Sequence, residues 1–143
     1  MNNNKVAIIL CIKDNFEYLE EQLDSIFAQD YKNFDIFLSD DSLTNKVNHI
    51  LKKYRVTYLE GPKKGFAVNF ISTLINIPDD YSFYAFADQD DIWLENKLSY
   101  GIDILLKQNI NNPNLFCGRT VLVNHYGKKI GMSPLFKRSP SFR

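Results

Sequence analysis

Asp88-Gln89-Asp90-Asp91 places three carboxylates within four positions, directly after the apolar run Phe83-Tyr84-Ala85-Phe86-Ala87. That run reads as a buried strand, so the acids gather at a strand end, where they repel one another unless a counter-charge is present. A hard divalent cation bound through oxygen supplies one, and a cation so placed also holds a phosphorylated ligand. Asp88 and Asp90 are two apart and project to the same side of extended backbone. The alternative is a solvated turn in which Asp91 caps the following helix.

A second acidic pair follows another strand-like run, in Ser39-Asp40-Asp41-Ser42. It serves either a ligand or a helix cap or turn, positions that Asx side chains favour. Lys63-Lys64-Gly65 precedes a helical pattern whose first N–H groups can face an anion, and the two lysines read equally well as exposed loop residues. Asn69 either faces that ligand or lies on the polar side of its helix.

The elements that must position these groups alternate along the chain. Residues 5–12 (KVAIILCI) form a continuous apolar run rich in β-branched side chains, a strand covered on both faces. Asp14 with Glu17 has the spacing of a capping box, and Phe16, Leu19, Leu23, Ile26 and Phe27 recur at helical intervals. Strands are expected at 34–39, 56–59, 83–87 and 115–123, and helices at 45–53, 65–77 and 94–108. Phe66, Phe70, Leu74 and Ile77 form the expected inner face of the helix over 65–77, and Leu94, Leu98, Ile102, Leu105 and Leu106 that of the helix over 94–108. Residues 125–129 suit a hairpin turn. Such alternation predicts βαβ units, a mainly parallel Rossmann-like sheet flanked by helices, and ligands beyond the carboxyl ends of its strands. Both acidic clusters fall at that edge.

Length and composition bound the rest. The 143 residues fit one domain, 45% apolar and 24% charged. Lys+Arg and Asp+Glu both number 17, so no long-range field draws nucleic acid or an anionic membrane. Cys11 and Cys117 lie in apolar runs and read as buried free thiols of a reducing compartment. No signal peptide or membrane-spanning run is evident, which predicts a cytoplasmic protein, peripheral at the inner face of the membrane at most. Residues 1–131 read as one domain, and the Pro- and Ser-containing 132–143 as an irregular tail, as though the chain were cut short.

Taken in order, Lys13-Asp14-Asn15, the helix segment YLEEQLDSI, Ser39-Asp40-Asp41-Ser42, Gly61-Pro62-Lys63-Lys64-Gly65 and Asp88-Gln89-Asp90-Asp91-Ile92-Trp93-Leu94 resemble the nucleotide-sugar-binding half of a family 2 glycosyltransferase, most closely its rhamnosyltransferase-like members. The resemblance implies the type A glycosyltransferase fold, C-terminally truncated. It implies a dTDP- or UDP-sugar donor, dTDP-rhamnose among them, and a saccharide or lipid-linked acceptor in surface polysaccharide synthesis. Asp90, with Asp88, would hold Mn²⁺ or Mg²⁺. Asp40, or Asp41 in its place, would meet the nucleobase or ribose, and Asp14, Lys64, Asn69 and Asp88 would join the nucleotide site. Trp93 walls the sugar pocket or belongs to the core. Ile12 replaces the threonine many relatives carry. The general base of inverting members lies beyond the equivalent of Arg143, so no residue here takes that role. Two other classes stand beside this one: a sugar-phosphate nucleotidyltransferase, which the missing glycine-rich basic loop disfavours, and a non-catalytic truncated domain that self-associates through an exposed face.

Overall fold

β1 (Val6–Ile12) is buried at every position, as its unbroken apolar sequence requires. In the computed structural model, which describes residues 4–43, 47–109 and 111–138, β1 is the centre of a parallel sheet. The chain runs through α1 (Leu19–Phe27), β2 (Phe34–Asp40), α2 (Asn48–Leu51), β3 (Thr57–Glu60), α3 (Phe66–Asn76), β4 (Phe83–Ala87), α4 (Lys97–Leu105), β5 (Val121–Val123) and β6 (Lys129–Met132). The sheet order is β3-β2-β1-β4, so the chain winds outward from β1 to β3 and then crosses to the other side of β1. That reversal leaves a crevice between β1 and β4, where ligands of open parallel sheets sit.

Register aligns the strand ends: Ile12 pairs with Asp40, Asp40 with Glu60, and Leu10 with Ala87. Both acidic clusters therefore leave the sheet at one edge. One sheet face packs Ala7, Ile9, Cys11, Phe37 and Ile77, with Leu59, Phe70 and Tyr81 against them. The chain divides into two compact units, Met1–Tyr100 and Gly101–Arg143. In the second, β5 and β6 form an antiparallel hairpin. The Asn124 side chain accepts from the N–H groups of Tyr126 and Lys128, and Gly127 has φ of 73°.

Several expectations need correction. No Asp14 capping box forms: α1 begins at Leu19, Tyr18 is its N-cap without a side-chain bond, and Asn15 rather than Asp14 accepts the Glu17 N–H. Asp91 does not cap α4, which starts six residues later at Lys97, and Leu94 precedes it, exposed. The strand over 115–123 shrinks to Val121–Val123, and Cys117 lies outside it, exposed. α3 buries Asn69 and Thr73, while Phe66 is 77% exposed. Asn45, expected in a helix, falls outside the described residues, and that helix is only Asn48–Leu51. Arg119 donates to the Ser133 carbonyl through Nε (2.9 Å) and Nη2 (2.7 Å).

Candidate functional site

Two cavities compete. The larger, about 940 Å³, lies at the amino ends of the strands and is lined by Lys5, Asp35, Arg55 and Tyr81 among others. Its acid is already matched, since Lys5 Nζ lies 2.5 Å from Asp35 Oδ2 and Tyr81 donates to the same oxygen at 2.6 Å. The smaller cleft, about 200 Å³, opens at the carboxyl ends and is lined by Cys11, Ile12, Lys13, Asp41, Asn69, Asp88, Gln89 and Asp90, with Phe66 and Phe70. Among the described residues, carboxylates without an ion-pair partner, raised ionisation and the topological reversal coincide here, which makes it the candidate site.

Four of the residues singled out from sequence meet in this cleft: Asp41, Asn69, Asp88 and Asp90. Asp14, Asp40 and Lys64 are not among its lining residues. Asp88 is pushed above the usual carboxylate range, first by desolvation and then by the charges of Asp91 and Asp90, with Lys97 opposing. Asp91 is raised by desolvation and by Asp90. Among the described residues no group of three or more His, Cys, Asp or Glu could enclose a metal ion. Asp88 and Asp90, exposed on either side of Gln89, fit a different arrangement, in which a hard cation takes one or two protein oxygens and completes its shell with water and substrate phosphate.

The acids ending β2 have separate surroundings. Asp41 accepts the backbone N–H groups of Lys63 and of Gly65, the latter at 2.9 Å. It thereby shapes the turn into α3, where Lys63 (φ 58°) and Gly65 (φ 93°) take positive φ. Gly61 is obligatory beside it: a Cβ there would lie 2.8 Å from the Asp40 carbonyl oxygen. Lys63 Nζ pairs with Glu60 at 2.8 Å, and Lys64 is exposed. Asp40 turns back so that Oδ1 accepts the Ser42 N–H at 2.9 Å, leaving Oδ2 buried and unpartnered. The Tyr58 phenol is raised by burial, then by the charges of Asp40 and Glu60 and by its closeness to the Asp40 carboxylate, although no group meets Oδ2 with hydrogen-bond geometry.

Asn69 is 1% exposed, and its amide is engaged: Oδ1 accepts from Ser39 Oγ at 2.6 Å and Nδ2 donates to the Ser39 carbonyl at 3.2 Å. Cys11, in the same wall, has its thiol pushed up to about 12 by burial, against a hydrogen bond from Thr73 that lowers it. Trp93 is 5% exposed and belongs to the core, with Lys97 Nζ 4.7 Å from its ring centre.

The segment that follows the acids is fastened to the end of α1 and the residues just past it by side chains that sequence periodicity did not single out. Ser25 Oγ accepts the Trp93 N–H at 3.0 Å. The buried Gln29 donates to the Leu94 carbonyl at 2.7 Å and accepts from the Leu98 N–H at 3.0 Å. The available signal was two uncharged polar residues, one in the last turn of α1 and one just past its C-cap, in an otherwise apolar stretch.

A parallel sheet with its ligand crevice at the β1/β4 reversal, edged by two acid clusters, defines an α/β nucleotide-binding architecture of the type A glycosyltransferase kind. The sequence model of Glycosyl transferase family 2 matches residues 7–135, and the chain belongs to that family. A curated relative, dTDP-rhamnosyl transferase RfbG of Shigella flexneri, is 31% identical over 121 residues, covering 78% of this chain and 41% of the relative. The chain thus spans about two fifths of that relative's length. Among solved structures, the mannosyltransferase PcManGT of Pyrobaculum calidifontis in complex with GDP-Man and Mn²⁺ aligns with TM-score 0.61 at 20% identity, over 71% of this chain and 32% of its own. S. aureus TarS 1-349 in complex with UDP-GlcNAc aligns with TM-score 0.60 at 23% identity, over 72% and 31%. These likenesses establish the fold. No helix among the described residues is long and apolar enough to cross a membrane.

Proposed function

We propose that the cleft at the β1/β4 reversal binds the diphosphate of a nucleotide-sugar donor together with Mn²⁺ or Mg²⁺, within a glycosyltransferase that passes the sugar to a saccharide or lipid-linked acceptor. The observation that carries this reading is the convergence of Asp41, just past β2, with Asp88 and Asp90, just past β4, on one cleft. Asp88 and Asp90 would hold the cation, which when bound offsets charge on the departing diphosphate. A cleft of about 200 Å³ suits a diphosphate with its ion rather than a whole nucleotide sugar. The base and the sugar therefore extend beyond its rim, past the loops that carry Asp14 and Lys64.

Asp41 shapes the wall nearest the nucleotide. The unpartnered Oδ2 of Asp40 is the acceptor left for a nucleobase or ribose donor. Asn69 supports that wall from α3. The similarity to a dTDP-rhamnosyl transferase favours a dTDP- or UDP-sugar. In the inverting reaction the acceptor hydroxyl attacks the anomeric carbon as a base takes its proton.

Calorimetric titration with dTDP, UDP and GDP, with and without Mn²⁺, tests the reading. Pyrimidine diphosphates should bind in a Mn²⁺-dependent way, and Asp90→Ala should weaken binding at least tenfold. Binding indifferent both to the cation and to Asp90→Ala would refute it.

A further inference from the structure

The middle residue of the acid triplet has a task of its own. Gln89 Oε1 accepts the Lys13 N–H at 2.7 Å, while Nε2 donates to the Asn15 carbonyl at 2.6 Å and to the Lys13 carbonyl at 3.3 Å. One side chain on the loop after β4 thus takes three backbone groups of the loop after β1, across 74 to 76 residues of sequence.

The loop it grips is one that needs holding. The Asn15 N–H closes back on the Lys13 carbonyl at 2.6 Å, forcing Asp14 to φ of 53°, a region that non-glycine residues seldom adopt. Ser42 Oγ takes the Asp14 N–H at 2.7 Å from the other side. Lys13, Gln89, Asp88 and Asp90 all line the cleft. Only an amide supplies both the acceptor and the donor this grip uses: a carboxylate accepts alone, and an asparagine is one methylene shorter.

We propose that Gln89 is a positioning residue that locks the Lys13–Asn15 turn to the acidic loop, so that occupation of the Asp88/Asp90 side and the nucleotide-facing turn are coupled. The proposal rests on the donor-site reading above for its consequence, but not for its geometry. With both loops bound to one amide, a ligand that fixes one loop fixes the other.

Two measurements on the full chain separate the parts. Backbone amide exchange by NMR, without metal or nucleotide, reads the grip directly. In Gln89→Ala the Lys13 amide should exchange at least tenfold faster, whereas in Gln89→Glu, which keeps an acceptor, it should stay closer to wild type. Titration with dTDP then gives the factor by which Mn²⁺ tightens binding, and both variants should lose most of it, about tenfold. A role confined to holding the fold would instead lower the melting temperature and leave that factor intact, which would overturn the proposal. Unchanged Lys13 exchange in Gln89→Ala would overturn it as well. Failure of the wild-type chain to bind dTDP at all would overturn the donor-site reading and the coupling with it, and the Lys13 exchange would then show whether the grip exists with nothing to position.

Discussion

Asp40 and Asp41 are adjacent at the carboxyl end of β2, yet their carboxylates do opposite things. Asp41 accepts two backbone N–H groups at the entrance to α3, and Asp40 keeps one buried oxygen with no partner. The first is committed to the fold, and the second is the acceptor that the proposed donor site would use. Replacing each by asparagine separates these roles. Asp41→Asn turns an acceptor into a donor facing a backbone N–H and should cost about 1–3 kcal/mol of stability. Asp40→Asn keeps the Ser42 bond and removes a buried charge, so its melting curve should stay close to wild type while dTDP affinity falls. Equal destabilisation by the two substitutions would contradict this division.

Gly61 lies where β3 leaves the sheet, donating its N–H to the Asp40 carbonyl at 2.8 Å. A methyl group there meets backbone rather than a yielding side chain. Gly61→Ala should therefore destabilise by about 1–3 kcal/mol through forced backbone movement, measured by urea unfolding. Gly127→Ala supplies the contrast, because nothing lies within 4 Å of its added Cβ and only its φ of 73° is strained.

Acid should weaken the end of the sheet opposite the cleft. Burial raises Asp35, but the hydrogen bonds from Lys5 and Tyr81 outweigh it and hold the carboxyl below its ordinary value. A depressed folded pKa gives stability that is present above the unfolded value, about 3.9, and lost as pH falls through the lower folded one. Melting temperatures measured from pH 6 downward should fall less steeply for Asp35→Asn than for wild type.

The two thiols should differ in reactivity. Cys117 is exposed, whereas the Cys11 thiol is buried and pushed up to about 12. Because the thiolate is the reactive form, a disulfide reagent at pH 8 should modify one thiol per folded chain quickly and the second only on unfolding. Peptide mapping should place the fast site at Cys117.

The sheet was legible because β1 and β4 are short continuous apolar runs, and the acid clusters because charge at a strand end has few structural uses. The inner face of α3 was not. Helical spacing favours Phe66 and Phe70, and Phe70 does pack on the sheet, but Phe66 is exposed while Asn69, bonded to Ser39, and Thr73, bonded to the Asn69 carbonyl, are buried. Asp14 kept the spacing of a cap but was drawn into the turn that Gln89 and Ser42 hold. Gln89 itself is uncharged, its partners are backbone groups more than 70 positions away, and no periodicity encodes that.

The central claim is that a cation and a nucleotide diphosphate share the cleft between β1 and β4. Paramagnetic broadening of backbone amide resonances by substoichiometric Mn²⁺ in the presence of dTDP locates the ion directly. The account predicts that residues 88–91 broaden first, followed by Lys13 and Asp41, and that Asp90→Ala abolishes the effect. Broadening centred on Lys5, Asp35 and Arg55 at the opposite edge, or spread without regard to Asp90, would contradict it.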